Sequence, residues 1–322
     1  MTTQRTVVRI LAGVAGRSLT LMVGMAIGAM DALTARRDQI IQQPAPALQP
    51  VVAGVSGGAI AAAVIALGMT RDQARQIAIE HPEQNVLGER SFRAMLTRRT
   101  LYPQPRIREL AHAIVGDRTF ADFALDPKTS GQQPHQTESS LLIPVYSAEH
   151  GTLLLPRDLP KLGLSDLPVA DALVAATRIP GALPAAAGLE DIFDGGCKYR
   201  VPHDIFAPHP ALILDLYGPE PHDSRGGLIF PLLHPSLPAI AHRPRPFRDE
   251  TLRESTIFAH QPYGAALKAP TRAPAELFDT GYDITTTWID SRTDHELLNI
   301  LDSHVLGLPT EAAAADRIQP IA

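Results

Sequence analysis

Strand-like apolar runs alternate with helix-like runs along this chain, which predicts an α/β layer fold around a central, mostly parallel sheet. Two pairs carry that expectation: Thr6–Leu11 followed by a helix from Leu19 to about Arg37, and Val51–Val55 followed by Gly57–Gly68. The third observation is Ala211–Tyr217, ALILDLY, which reads as a buried strand.

In chain order, Thr6–Leu11 is apolar enough for a buried strand, and Gly13–Ser18 forms its turn. Arg5, Arg9 and Arg17 ahead of the apolar run Leu19–Met30, with small residues among Ala32 to Ala35, also fit a signal peptide. Strand, turn and apolar helix is the ordinary start of an α/β domain, and that reading is preferred. Pro44, Pro46 and Pro50 predict a loop over Gln42–Pro50. Gly68 suits the left-handed end of a helix, and Thr70 suits the cap of the next, Arg71–Glu80, with Asp72 in its first turn. Residues 91–125 read as helical pieces broken at Tyr102–Pro105, and Asp126–Ser139 as a polar surface loop. Leu141–Ser147 and Gly151–Leu155 read as strands joined by a turn at Glu149–Gly151. Val169–Thr177 is a short helix that ends before Pro180, and Ala275–Ile289 is a closing helix despite Gly281 and three threonines. The Pro-, His- and Arg-rich stretch 219–250 receives no assignment. No internal repeat is visible.

The 322 residues, 45% hydrophobic and 20% charged, suffice for a real core. A net charge of −5 without basic blocks argues against nucleic acid as a partner. Cys197 is the single cysteine, which excludes an internal disulfide and fits a reducing compartment. The expected location is the cytoplasm or the membrane periphery, with export left open.

Val51–Met69 carries no charge from end to end, as a membrane span would. Inside it lies Gly54-Val55-Ser56-Gly57-Gly58, a strand-to-helix G-x-S-x-G turn whose small residues let a serine stand proud of a sheet. A buried strand followed by an alanine-rich helix explains the apolar run without a bilayer, so no transmembrane span is expected. Ile192-Phe193-Asp194-Gly195-Gly196 lies further on, and its Asp-Gly-Gly turn can lift a carboxylate to a surface. Gly13 to Ser18, at a helix start, can aim backbone N–H groups at one spot.

Together these three elements resemble the patatin-like phospholipase family, as does Ala172–Gly196, where Ala175-Ala176-Thr177 and Pro180-Gly181-Ala182-Leu183-Pro184 precede the Asp-Gly-Gly turn. The resemblance spans about residues 7–217. It implies a three-layer α/β/α fold as a single domain over 1–322, with a less regular part at 218–322. It implies a serine–aspartate dyad that cleaves lipid acyl esters without metal or cofactor: Ser56 as nucleophile, Asp194 as base, Ile192 and Phe193 lending an apolar setting. The family's oxyanion pattern falls on Ala12 to Ser18, with Gly13, Val14, Ala15, Gly16 and Arg17 as backbone contributors. Only Gly13 and Arg17 match it as they stand. Val14, Ala15 and Ser18 replace glycines, which backbone donors tolerate unless φ must be positive. Cys197 to Pro202 stand where the family has an asparagine-rich segment.

Two other readings stay open. The altered turn fits a lipid-binding protein with weak or no catalysis. His203 or His209, following Asp194, would complete a Ser-His-Asp esterase. Their spacing lacks a helix metal pattern, so no metal site is expected. Cys197 reads as a packing residue, and Trp288 as core or rim.

Overall fold

The computed structural model describes residues 6–15, 18–41, 48–98, 100–125, 139–198, 201–207, 209–217, 254–260, 272–294 and 296–297. Its strands are β1 (Thr6–Ala12), β2 (Leu48–Gly54), β3 (Leu141–Ser147), β4 (Gly151–Leu155), β5 (Ile192–Asp194), β6 (Leu212–Asp215) and β7 (Thr256–Phe258). Its α-helices are α1 (Leu19–Ile41), α2 (Gly57–Ala66), α3 (Arg71–Glu80), α4 (Glu83–Val86), α5 (Phe92–Arg98), α6 (Ile107–Val115), α7 (Val169–Ala176) and α8 (Pro274–Asp290).

The sheet runs β4-β3-β2-β1-β6-β7, with β5 on β3. β3, β2, β1, β6 and β7 pair in parallel; β4 and β5 join β3 antiparallel. Helices flank this mixed, mostly parallel sheet, so the fold is α/β. The period of two along each strand sorts side chains between its faces. Val8, Ile10, Val52, Leu212 and Leu214 meet the main helical layer, while Leu11, Val51, Ala53 and Ile213 face the other side with Leu125 and Phe206. Phe206 belongs to a 3₁₀ turn, His203–Phe206, so the second layer is thin among the described residues.

β3 serves two neighbours on one flank. Its first residues pair with β2, Val52 opposite Leu141 and Ala53 opposite Leu142. β4 occupies the other flank, so β5 takes over where β2 ends, with Asp194 opposite Val145. Asp194 therefore sits three strand residues past the partner of Ala53, the same number by which Ser56 follows Ala53.

Several expectations shift. The loop at Gln42–Pro50 is shorter, because Leu48–Pro50 already belong to β2. β3 reaches β2 only from Val52 onward, so the missing N–H of Pro50 costs no ladder bond on that side. Helix α1 runs to Ile41, beyond Arg37, and Arg36 is anchored there by Asp294 at 2.7 Å. Ser139, placed in a surface loop, is buried and donates to the Leu141 carbonyl at 2.8 Å. The rest of that loop, 126–138, and the stretch 219–250 lie outside the described residues. The hairpin, the Thr70 cap and Gly68 at φ 63 appear as expected, and Gln73 adds a reciprocal bond to the Thr70 cap. Trp288 is half-buried at the rim.

Val51–Met69 is divided between β2, the elbow and α2. Among the described residues the helix long and apolar enough to cross a membrane is instead Leu19–Gln39 within α1, and 67% of that window is buried inside the fold. Its principal partner is α8, held at backbone contact. A methyl at Gly24 would lie 2.1 Å from the Phe278 carbonyl oxygen, and one at Gly281 2.1 Å from that of Leu21. Arg75 ties α3 to Asp279 of α8 at 2.9 Å.

Candidate active site

β2 delivers the chain into a turn at Ser56, whose φ of 57° and ψ of −131° no L-residue adopts without constraint. The constraint is local crowding. A methyl at Gly54 would stand 2.1 Å from the Gly58 carbonyl oxygen, and one at Gly58 2.2 Å from that of Gly13. Helix α2 starts at the next residue, so Ser56 lies at the positive end of its dipole and is only 4% exposed.

β5 delivers Asp194 to the same place. It is buried, and its carboxylate accepts the Gly196 N–H at 2.7 Å and bonds the Ser56 hydroxyl. Burial, only partly offset by those hydrogen bonds, raises its pKa to about 7. Val14 and Val55 close the space around Gly196: a methyl there would stand 2.6 Å from Val14 Cγ2 and 2.9 Å from Asp194 Oδ1. Gly195 packs on the Pro144 carbonyl, 2.5 Å from an added methyl. A hydroxyl against a carboxylate of near-neutral pKa is a pair between which a proton can pass.

A family model for patatin-like phospholipase matches residues 24–207. The chain belongs to the patatin-like phospholipase family. Among curated proteins none matches it. Lipid acyl hydrolysis is the general activity of this family.

In this patatin-like site the Gly13–Ala15 turn lies against both motifs, through Ala15 beside Gly57 and Val14 beside Gly196. Two findings change its expected role. The Gly13 N–H donates to the Leu214 carbonyl at 2.9 Å, so it is spent on the sheet and is removed from the oxyanion donors. Among the described residues the N–H groups of Val14, Ala15 and Gly57 meet no acceptor. Gly57 was expected only to support the motif. The signal for its second part is its place at the first position of α2, where helices leave N–H groups unpaired. Neither Val14 nor Ala15 has positive φ, so replacing glycine there strains nothing. Tyr217 fixes the turn by donating its hydroxyl to the Ala15 carbonyl at 3.1 Å. Gly16 and Arg17 lie outside the described residues.

Sequence reading also assigned no part to Arg178. Its carbonyl accepts the Asp194 N–H at 2.9 Å, and its guanidinium bonds the Glu190 and Ile192 carbonyls while lying over the Phe193 ring. Phe193 packs with Tyr146 and Cys197. Burial, with the Asp194 charge nearby, pushes the Cys197 thiol well above its ordinary pKa, which suits a packing residue. His209 is exposed, and among the described side chains no histidine shifts Asp194; the side chain of His203 lies outside the described ones.

Among the described residues two hollows bear on the site. One of about 670 Å³ lies across α3 and α6 and includes neither dyad residue. The other, about 350 Å³, is lined by Arg98, Thr100, Arg178, Leu183 and Phe193, next to Asp194 in sequence. Neither dyad residue lines the second hollow either: Phe193 and Asp194 are consecutive in β5, so their side chains stand on opposite faces of the strand.

Proposed function

We propose that this chain is a serine lipid acyl hydrolase working through an acyl-Ser56 intermediate, with Asp194 as its only acid–base group. The observation that carries this reading is the Ser56–Asp194 hydrogen bond with the Asp194 pKa raised to about 7. The Ser56 oxygen attacks an ester carbonyl as Asp194 takes its proton. The N–H groups of Val14, Ala15 and Gly57 hold the negative oxygen that forms, at the N-terminal end of α2. Protonated Asp194 then gives the proton to the departing alcohol. Water, deprotonated by the same carboxylate, cleaves the acyl-serine, and Asp194 returns that proton to the departing Ser56 oxygen. Each step leaves Asp194 ready for the next, so neither histidine nor metal is required. Among the described residues no three His, Cys, Asp or Glu side chains are grouped for a metal.

A fluorophosphonate probe tests this. Labelling at Ser56, absent in Ser56→Ala, together with ester hydrolysis that persists in EDTA, is the expected result. Folded protein that neither labels nor hydrolyses phospholipid would sink the reading. One observation favours a second reading, a lipid-binding protein with little turnover: the Gly13 N–H is committed to Leu214. Losing one oxyanion donor costs about 2.7–4 kcal/mol of barrier. Lipid binding by folded protein without labelling would support that alternative.

A further inference from the structure

We propose that α5 is a docking element for an anionic lipid bilayer. Soluble proteins keep large apolar side chains covered or scattered. Here Phe92 and Leu96 are 69% and 80% exposed, and they stand one helical turn apart on one face of α5. Among the described residues the only other exposed large hydrophobic is Ile79, on α3, at 39%. The opposite face of α5 is tied down, with Ala94 buried and Met95 half-buried. α5 is thus held firmly while it presents its apolar pair outward.

Its charge selects the partner. Arg93 and Arg98 are exposed on the helix, α5 holds no acidic residue, and Arg90 and Glu89 precede it. The whole chain carries −5, so an anionic surface repels most of it and attracts this basic patch. A second copy of the chain, also acidic, gains nothing from that complementarity. The pair is also too small for a stable dimer: two such side chains present at most roughly 300 Å², against about 800 Å² per partner in ordinary interfaces.

Its position connects it to the chemistry. The segment after α5 is sewn to the turn ahead of β5: the Leu101 N–H donates to the Gly181 carbonyl at 2.9 Å and the Tyr102 N–H to that of Ala182 at 2.8 Å. Arg98 shares the 350 Å³ hollow with Phe193. A bilayer seated on Phe92 and Leu96 therefore meets the protein beside the hollow that Arg98 and Phe193 line. The value of such a seat rests on the lipid hydrolase reading, but the docking itself does not.

The test is flotation of Ser56→Ala protein with vesicles of phosphatidylcholine alone or mixed in equal parts with phosphatidylglycerol. Binding to the mixed vesicles is expected, weakened by high salt. Partitioning should fall at least about tenfold in the double variant Phe92→Ser/Leu96→Ser and about fivefold in Arg93→Gln. Unchanged Tm shows that these surface variants fold. With Ser56 intact, Phe92→Ser/Leu96→Ser should hydrolyse a soluble short ester at the parent rate but lose activity on vesicles. Equal flotation of parent and double variant overturns the proposal. So does a parent dimer that the double variant makes monomeric while vesicle binding is unaltered. Failure of Ser56 to label would defeat the hydrolase reading and leave the flotation result standing.

Discussion

Asp194 joins two requirements that pull in opposite directions. As a base it acts only when ionised, and its burial favours the neutral form. The rising limb of kcat/KM against pH is therefore expected near pH 7, where its pKa lies. Asp194→Asn should lower turnover at least about a hundredfold and remove that limb. A wild-type limb near the ordinary carboxylate range would show that burial does not govern the base. The effect on stability has its own sign. Between the ordinary value of 3.8 and about 7 the folded state keeps a proton that the unfolded chain has released. Stability from this group is therefore lost as pH rises through that window. Asn cannot ionise, so Asp194→Asn should raise Tm relative to the parent at about pH 8, with a smaller gain at about pH 5. Equal Tm differences at both values would contradict the shifted pKa.

Helices α1 and α8 approach so closely that glycine is built into the contact. Gly281→Ala would drive a methyl to 2.1 Å from the Leu21 carbonyl oxygen, which is backbone and cannot step aside. Overpacking of this kind costs about 1–3 kcal/mol, read as a Tm lowered by several degrees. Gly68→Ala meets nothing within 4 Å and bears only the strain of φ 63, so its Tm should fall less. The reverse order would mean that α1 and α8 do not pack at backbone distance. Elements fixed by neighbours in the chain were legible in the sequence: the Thr70 cap of α3 and the Glu149–Gly151 turn between β3 and β4. Elements fixed from afar were not. Helix α4 is a single short turn whose Glu83 carboxylate takes the Thr20 N–H at the start of α1. β7 is three residues long and exists by pairing with β6. At the site, Ser56 and Asp194 announce themselves through their glycines. The loss of the Gly13 donor depends on Leu214, far along the chain, and no local pattern records it.

At the scale of the molecule, the sheet ranks the elements by protection. β1 is flanked by β2 and β6 along part of its length and is covered on both faces. Its amides, with those of β2 and α2, should be the slowest to exchange with solvent, opening only on global unfolding. Fast exchange across Val51–Met69 would mean that this apolar run does not form the core. The family match, 24–207, begins after β1 and ends before β6, β7 and α8, so parts essential to the sheet lie on either side of it.

The same topology sets a schedule for biosynthesis. Helix α1 ends at Ile41, and α8, which covers it, begins only at Pro274. At roughly 5–20 residues per second of synthesis, that interval lasts on the order of 10–50 s. For that time a nascent helix with the hydropathy of a membrane span waits without the partner that covers its α8 face.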